Sequence, residues 1–281
     1  MRMSIVVTTY QHPTWLEKVL WGFESQTFRD FELLVADDGS DDETRAVIDG
    51  MHTQVGYPLR HVWHAHEGFR KCTILNAAIA VAGSDYLFFT DGDCIPRPDV
   101  LAVHARHARK GRFLSGGYLK LPMSTSGRIT KDDILAGRAT DLRWLRAHGT
   151  RVDRQSLRLA WGPRLAAFLD RVTPTGATFN GHNSSVWRED LVMVNGFDER
   201  LEYGGLDREL GERLENAGVR GAQIRHRALV VHLDHPRGYR RAEALARNRA
   251  IRDEVAAKKI MRAPVGLDRH DAHGAPRPSA Q

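Results

Sequence analysis

The sequence predicts an α/β fold in which helices flank a single, mainly parallel sheet, and three observations support this prediction. Short runs of β-branched and aromatic residues alternate with helical patterns over roughly the first ninety residues, which is typical of βαβ units. Hydrophobic residues make up 42% of the 281 residues, enough to build a full core. No apolar run approaches the ~20 residues that span a bilayer.

The elements are predicted in order from these patterns. Apolar runs predict strands at residues 4–7, 31–36, 59–63 and 86–90. Three helices are predicted between these strands. The first begins at Pro13, since proline suits a first helical turn. The second covers residues 43–48, and the third covers residues 73–82 and ends at Gly83. A second α/β segment follows from residue 177, with a helix at about 207–217 and a strand at 229–232.

Two segments do not follow this alternation. Residues 124–175 mix leucines with arginines and predict a basic helical insertion of two or three helices within a domain of residues 1–236. Residues 237–281 predict a basic helix and a flexible tail, frayed beyond Arg262, where Pro264, Pro276 and Pro278 occur. The net charge of +6 is uneven: residues 128–171 hold ten basic and five acidic residues, residues 237–281 hold eleven and five, and the remainder sums to −5.

Polar turns follow three of the predicted strands, namely Thr8-Thr9-Tyr10, Asp37-Asp38 and Asp91-Gly92-Asp93. In open parallel sheets, ligands bind beyond the carboxyl ends of the strands, so these turns are expected to meet at one rim. Asp91 and Asp93 lie two residues apart in extended chain and can face one ligand, and Gly92 allows close backbone approach. Paired hard oxygen ligands suit Mg²⁺ or Mn²⁺, although a solvated acidic turn without a metal would have the same sequence.

As an ordered set, these motifs resemble a family-2, nucleotide-sugar-dependent glycosyltransferase of the GT-A fold, whose sheet is Rossmann-like. The similarity covers roughly residues 3–122 and 176–236, and its second half is similar to galactosyltransferase-type and chondroitin-polymerase-like domains. The matching stretches are residues 4–10, 25–28, 35–40, 90–93, 195–199 and 204–210.

The resemblance implies nucleotide-binding roles for Thr8, Tyr10, Asp38, Lys71 and Asp91. A carboxylate such as Asp38 accepts the N–H of uracil, and a tyrosine ring packs on the base. The bland alternatives are that the Asp37-Asp38 turn only caps the next helix, and that Lys71 is a solvated start of a helix.

The resemblance also implies metal ligands, namely Asp91, Asp93 and His232. A lone histidine is more often structural, and His235 is a competitor for the third position. An imidazole ligand would favour Mn²⁺ over Mg²⁺.

Asp207 is the residue implied as the catalytic base for sugar transfer with inversion. A favourable first-turn acid at a helix N-terminus is the simpler explanation, and the two are compatible. The family motif has two adjacent acids, and Leu206 replaces the first. Contacts to the donor or acceptor sugar are implied for Asn183, Gly205 and Trp187, although core packing also accounts for Trp187.

The sequence therefore predicts an enzyme that moves a sugar from a UDP-sugar to a hydroxyl of a glycan or lipid-linked acceptor, in surface polysaccharide or lipopolysaccharide synthesis. The alternatives are a nucleotidyltransferase acting on sugar phosphates and a non-catalytic sugar-nucleotide- or nucleic-acid-binding protein. With two cysteines, we expect a reducing, cytoplasmic location. The basic segments face either solvent or an anionic membrane surface, which would place the protein peripherally at the inner face of the cell membrane. No nucleic-acid partner is expected, since the charge is split.

Overall fold

The computed structural model describes residues 1–235 and 241–270. The strands are β1 Met3–Thr9, β2 Phe31–Asp37, β3 Leu59–Trp63, β4 Tyr86–Asp91, β5 Cys94–Pro96, β6 Arg112–Ser115, β7 Gly117–Lys120, β8 Ser184–Trp187, β9 Arg220–Gln223 and β10 Leu229–His232. The α-helices are α1 Pro13–Glu24, α2 Asp42–Met51, α3 Lys71–Val81, α4 Val100–His107, α5 Met123–Arg128, α6 Lys131–Leu135, α7 Leu142–Ala147, α8 Pro163–Val172, α9 Arg188–Met193, α10 Leu206–Asn216 and α11 Ala242–Lys258.

A large sheet confirms the predicted α/β class. Its order is β3-β2-β1-β4-β8-β6-β9, and its pairings are parallel except where β8 runs antiparallel to β4 and to β6. Every residue of β1 and β2 is buried, because helices cover both faces of the sheet. These strands continue one or two residues beyond the predicted apolar runs, so the pairing itself extends into the polar turns.

The prediction of a single sheet is wrong, because the described residues form a second sheet of order β5-β10-β7. The predicted strand at residues 229–232 forms as β10, but it pairs antiparallel with β5 and parallel with β7. Strand β5 begins directly after Asp93, so this small sheet brings the end of β10 back to the rim of the large one.

The insertion at residues 124–175 is helical as predicted, but it is divided into more pieces than two or three. It contains most of α5, together with α6, α7, α8 and two 3₁₀ turns. The breaks have local causes: Gly137 adopts a φ of 74°, and Thr130 and Asp141 each cap the helix that follows. The insertion packs on α1, where the Lys131 ammonium lies 3.6 Å from the centre of the Trp21 ring.

The prediction of fraying directly beyond Arg262 is wrong for residues 263–270. Asn195 donates a hydrogen bond from Nδ2 to the Ala263 carbonyl at 2.9 Å and accepts one from the Asp268 amide at 2.8 Å. Ala263 and Leu267 are buried. The rest of the predicted tail, residues 271–281, lies outside the described residues, as do residues 236–240. Within the described ranges, every helix is too short or too polar to cross a bilayer.

Candidate active site

The polar ends of three neighbouring strands meet at one rim of the large sheet. In the parallel ladders, Thr8 lies opposite Asp91 and Thr9 lies opposite Asp37. Because parallel strands place their carboxyl ends at the same edge, the turns after them open to one side. They form part of the wall of a cavity of about 950 Å³.

Nine of the predicted site residues line this cavity, and the two others do not. Those in the wall are Thr8, Tyr10, Asp38, Lys71, Asp91, Asp93, Gly205, Asp207 and His232. The cavity also collects side chains from β1, the small sheet and the start of α10, which are far apart in sequence. The rim is therefore one site built from both halves of the chain.

Asp91 and Lys71 form an ion pair in the floor of the cavity. Nζ of Lys71 lies 2.6 Å from Oδ1 of Asp91, which also accepts a hydrogen bond from the Thr8 hydroxyl at 2.8 Å. Burial by itself would raise the pKa of Asp91, but the Lys71 ammonium holds it well below its usual range. Burial by itself would lower the pKa of Lys71, yet the carboxylates of Asp91 and Asp207 raise it above its ordinary value. Both groups are therefore charged at neutral pH.

Asp93 faces two imidazoles. Its Oδ2 lies 2.9 Å from Nε2 of His235 and 3.6 Å from Nε2 of His232. Nδ1 of His232 lies 2.8 Å from the Leu233 carbonyl, which can only accept a hydrogen bond, so Nε2 is the ring nitrogen that faces Asp93. Ligand atoms of Asp93, Cys94 and His232 all lie within 4.8 Å of one another. A carboxylate and imidazoles that face one another in this way fit a divalent cation.

Gly92 explains how two carboxylates are held side by side. Its amide donates to the Thr8 carbonyl at 2.7 Å, and a β-carbon on Gly92 would lie 3.0 Å from that oxygen. The close backbone approach predicted here is therefore made to the neighbouring strand β1. This contact fixes the turn that carries Asp91 and Asp93 against the rim.

The adjacent acids Asp37 and Asp38 have different surroundings. Asp37 is buried, and its Oδ1 accepts a hydrogen bond from the Ser40 amide at 2.8 Å, so it shapes the turn. Asp38 lines the cavity, with Oδ1 2.7 Å from Nε2 of His64 and with Oδ2 accepting from the Arg70 amide at 3.0 Å. The helix cap that the sequence places on this pair is made by Asp41 instead.

Tyr10 lies at the mouth of the cavity. Its side chain is 42% exposed, and its ring stacks on His66 with the ring centres 4.7 Å apart. An exposed aromatic ring beside Asp38 provides a flat apolar surface next to hydrogen-bond acceptors.

Asp207 lies in the first turn of α10, as predicted. Its Oδ1 is shielded from solvent and has no hydrogen-bond partner among the described residues. Burial raises the pKa of Asp207 to about 6, although Lys71 acts in the opposite direction. A β-carbon on Gly181 would lie 2.7 Å from this Oδ1, so the glycine leaves room for the carboxylate. A carboxylate of this pKa in a cavity is suited to accept a proton near neutral pH.

We expect Asp207→Asn to make the metal-free protein more stable at pH 7.5. The folded protein binds the Asp207 proton more tightly than the unfolded chain does, because the pKa rises from 3.8 to about 6 on folding. This carboxylate therefore lowers stability as the pH rises from about 4 to 6, by at most about 3 kcal/mol. Thermal unfolding of both proteins between pH 4 and 8 measures the difference, which should vanish below pH 4. A difference independent of pH would contradict the assigned environment.

A loop of two glycines precedes Asp207 and is held by helix α11. Gly204 and Gly205 have φ angles of 107° and 87°, which other residues rarely adopt. Asn248 is 1% exposed, and its Nδ2 donates to the carbonyls of Glu202 and Gly204 at 2.8 Å each and to that of Tyr203 at 3.2 Å. One buried amide thus fixes three successive carbonyls of the loop that leads to Asp207.

The geometry agrees with the sequence comparison. Residues 4–161, which include both strand-end aspartate turns, match the family described as glycosyl transferase family 2, and the match covers more than half of the chain. The chain belongs to glycosyl transferase family 2. This confirms the resemblance stated from the motifs, and the enzyme class that it implied.

Two relatives are similar to this family-2 chain over most of its length. The chain is 28% identical over 230 residues to the validoxylamine A glucosyltransferase of Streptomyces hygroscopicus subsp. jinggangensis. The matched region covers 77% of this chain and 52% of that protein. The chain is 25% identical to the chondroitin synthase of Escherichia coli over 80% of this chain and 34% of that protein. The chain spans about half the length of the first of these relatives and less of the second.

Solved structures show that the fold of this family-2 chain is GT-A. S. aureus TarS 1–349 in complex with UDP-GlcNAc superposes with a TM-score of 0.62 at 14% identity, over 96% of this chain and 69% of that one. The mannosyltransferase PcManGT from Pyrobaculum calidifontis, in complex with GDP-Man and Mn²⁺, gives a TM-score of 0.56 at 20% identity, over 85% and 58%.

Asn183 and Trp187 lie outside the cavity of this glycosyltransferase, contrary to the sugar contacts predicted for them. Asn183 is fully buried: its Oδ1 lies 2.9 Å from Nε2 of His104, and its Nδ2 donates to the carbonyls of Gly117 and Ala228. Its amide therefore joins β7 to the residue before β10 and has no group left for a sugar. The Trp187 ring packs on Tyr86 and under Lys110, so core packing accounts for it.

Sequence reasoning missed several residues in the cavity wall of this family-2 chain. His182 lies edge-on to Tyr118, with ring centres 4.5 Å apart, and burial lowers its pKa to about 4, so it is neutral. Its position in the sequence could have indicated it, since His182 directly precedes Asn183, for which a sugar contact was predicted. Trp15, Tyr118 and Tyr203 also line the cavity, but neither periodicity nor a motif singles them out.

Proposed function

We propose that this protein transfers a sugar from a UDP-sugar to an acceptor hydroxyl with inversion at the anomeric carbon, assisted by a divalent metal. One observation carries the proposal. Asp38, the Asp91–Lys71 pair, Asp93 with its two imidazoles and Asp207, whose Oδ1 has no hydrogen-bond partner among the described residues, line one cavity of about 950 Å³. A cavity of this size accommodates a nucleotide sugar.

The nucleotide would occupy the side of the cavity formed by β1 and β2. Tyr10 supplies an exposed ring for the base, and Asp38 supplies acceptor oxygens for the N–H of uracil. Thr8 of β1 lies opposite Asp91 of β4, and the ribose would lie beside this pair. Lys71 contributes the positive charge that a diphosphate needs. TarS, which shares this fold, was solved in complex with UDP-GlcNAc, and this supports a uridine donor.

Asp91, Asp93 and His232 would hold the metal, with His235 as the neighbouring donor. When bound, Mn²⁺ or Mg²⁺ neutralises charge on the departing diphosphate. PcManGT, which also shares the fold, was solved in complex with GDP-Man and Mn²⁺. The facing carboxylate and imidazole atoms in this chain favour Mn²⁺.

Asp207 would act as the base. Its carboxylate takes the proton of the acceptor hydroxyl while that oxygen bonds to the anomeric carbon, and the bond from this carbon to the diphosphate oxygen breaks. UDP leaves with the electron pair, and the stereochemistry inverts. A β-carbon on Gly204 or Gly205 would meet Leu245 or Arg252 of α11, so these glycines let the loop pack on that helix. The loop itself lines the cavity, and the acceptor sugar would lie beside it, just before Asp207.

We further propose a glycan or lipid-linked acceptor in surface polysaccharide or lipopolysaccharide synthesis. The location is then cytoplasmic and peripheral to the membrane, and no nucleic acid is a partner. The relation to chondroitin synthase supports a glycan acceptor. Strong, salt-dependent binding to generic duplex DNA would contradict the expected lack of a nucleic-acid partner.

Release of UDP from candidate UDP-sugars, measured with and without EDTA, tests the function. We expect release that needs Mn²⁺ and that falls at least 100-fold in Asp93→Ala, because the charge on the diphosphate is no longer offset. Asp49→Ala on the exposed face of α2 is the matched control and should retain full activity. Metal-independent turnover would contradict the mechanism, and release of pyrophosphate instead would indicate a nucleotidyltransferase.

Asn248→Asp should lower the transfer rate through the position of Asp207. An oxygen would replace the nitrogen that donates to three carbonyls, and leaving them unpaired costs about 1–3 kcal/mol. Asn216→Asp is the matched control, since Asn216 also donates to two backbone carbonyls beside α11, those of Val255 and Ile260, and does not line the cavity. Both variants should be less stable, and only Asn248→Asp should lose kcat at a temperature where both are folded. Equal kcat in the two variants would refute the positioning role.

A further inference from the structure

Helix α8 presents apolar side chains to solvent. Leu165, Phe168 and Val172 are 47%, 59% and 50% exposed, whereas Ala166 and Asp170 are buried. With 3.6 residues per turn, the three apolar residues fall within about 60° of arc, on the side opposite the two buried ones. Surface helices normally have the reverse pattern, with large apolar residues facing the core. This exposed apolar face therefore either promotes aggregation or is a surface that contacts another molecule.

The arginines of α8 and of the segment that precedes it form no ion pairs within the described part of the chain. Residues 151–172 contain the arginines Arg151, Arg154, Arg158, Arg164 and Arg171, and none of them is in an ion pair with another described residue. The two acids of the stretch are engaged elsewhere: Asp153 accepts hydrogen bonds from the backbone of its own turn, and Asp170 binds Arg227. Arg164 and Arg171 are exposed beside the apolar residues.

The basic C-terminal segment is different, although its composition is similar. Among the described residues 241–270, six of the eight lysines and arginines are in ion pairs, with Glu202, Glu212, Asp253, Glu254 or Asp268. Much of that positive charge is offset by carboxylates of the protein itself. Of these two basic segments, as far as the structure describes them, the insertion is the one that combines unpaired charge with an exposed apolar face.

We propose that the α8 surface, defined by Arg164, Leu165, Phe168, Arg171 and Val172, docks on an anionic lipid membrane. An interfacial helix buries its apolar face at the boundary of headgroups and acyl chains, while its arginines contact anionic headgroups. The unpaired arginines are complementary in charge to such a surface. A soluble polyanion would account for the arginines but not for the exposed Phe168 and Leu165.

The position of α8 in the chain connects this surface with the cavity. The helix ends at Val172, and the segment that follows reaches Gly181, whose α-carbon borders Asp207. Docking at α8 would place the enzyme on the same surface as a lipid-linked acceptor. This consequence rests on the proposed function, whereas the docking itself does not.

Co-sedimentation of the full chain with vesicles tests the docking without any assay of activity. We expect binding to vesicles of phosphatidylglycerol and phosphatidylcholine, and at least tenfold weaker binding to phosphatidylcholine alone. Arg164→Gln/Arg171→Gln should weaken partitioning about 30-fold, at about 1 kcal/mol for each arginine. Leu165→Ser/Phe168→Ser should weaken it at least tenfold.

Two control pairs match these changes elsewhere on the surface. Val192→Ser/Met261→Ser removes equally exposed apolar side chains, and Arg249→Gln/Lys259→Gln removes two exposed cations of the C-terminal segment. Both should bind as the unaltered protein does. The proposal is overturned if the controls lose as much binding, or if the unaltered protein does not sediment with anionic vesicles. It is also overturned if the Leu165/Phe168 pair instead abolishes self-association in sedimentation velocity, since a second copy would then cover this face.

Discussion

Asp207→Asn should lower kcat for sugar transfer by about 10²- to 10⁴-fold, which is the range that general bases contribute. Asparagine keeps the size and shape of the side chain but cannot take the proton of the acceptor hydroxyl. Binding of the donor should change by less than about threefold, because the nucleotide contacts proposed for Asp38, Tyr10 and Lys71 are untouched. Single-turnover transfer and donor binding by calorimetry separate the two quantities.

Asp190→Asn is a close control for this change. Asp190 is also in the first turn of a helix, α9, burial raises its pKa, and its Oδ2 has no hydrogen-bond partner among the described residues. It does not line the cavity, so its neutralisation should leave kcat unchanged. If Asp207→Asn instead loses donor binding and transfer in equal measure, Asp207 is a structural residue.

Arg213→Ala should destabilise the protein by about 3–5 kcal/mol, because it would leave the charge of Glu209 buried and unpaired. Both side chains are essentially inaccessible, and Nε and Nη2 of Arg213 donate to Glu209 at 2.6 and 2.9 Å. The same guanidinium donates to the carbonyls of Val194 and Gly196, and so ties α10 to the turn that holds residues 263–270. Urea unfolding monitored by circular dichroism measures the loss.

Two further variants distinguish a buried charge from a general loss of packing. The double change Glu209→Leu/Arg213→Met removes both charges, so it should cost clearly less than Arg213→Ala. Lys258→Ala breaks a pair of the same spacing with Glu254 on the exposed face of α11 and should have only a small effect. A double variant as unstable as Arg213→Ala would mean that volume, and not charge, dominates.

The local pattern of the chain was sufficient to predict most of the fold. Strands β1, β2 and β4 are short apolar runs that end in polar turns, and parallel pairing aligns those ends whatever the rest of the chain does. Thr8, Asp38 and Asp91 were therefore predictable as neighbours. Their binding roles remain predictions, since they depend on ligands.

The second sheet and the ordered residues 263–270 were not predictable in the same way. Strand β10 is as apolar as a strand of the large sheet, and only its partners β5 and β7 decide that it belongs elsewhere. The segment after Arg262 has the prolines and glycines of a frayed end, yet it is held by one hydrogen bond that Asn195 donates and one that it accepts, some seventy residues away in sequence.

Residues close together in the chain were sufficient to predict the fold class and the row of acids at the strand ends, and an ordered set of short motifs indicated the glycosyltransferase family. The use of each polar side chain depended on the packing of distant segments. That packing placed the amide of Asn183 in the core, the imidazoles of His232 and His235 beside Asp93, and Asn248 under the loop before Asp207. It also turned Phe168 towards solvent. Such choices depend on which distant segments pack together and which hydrogen bonds they leave unfilled, and residue order records neither.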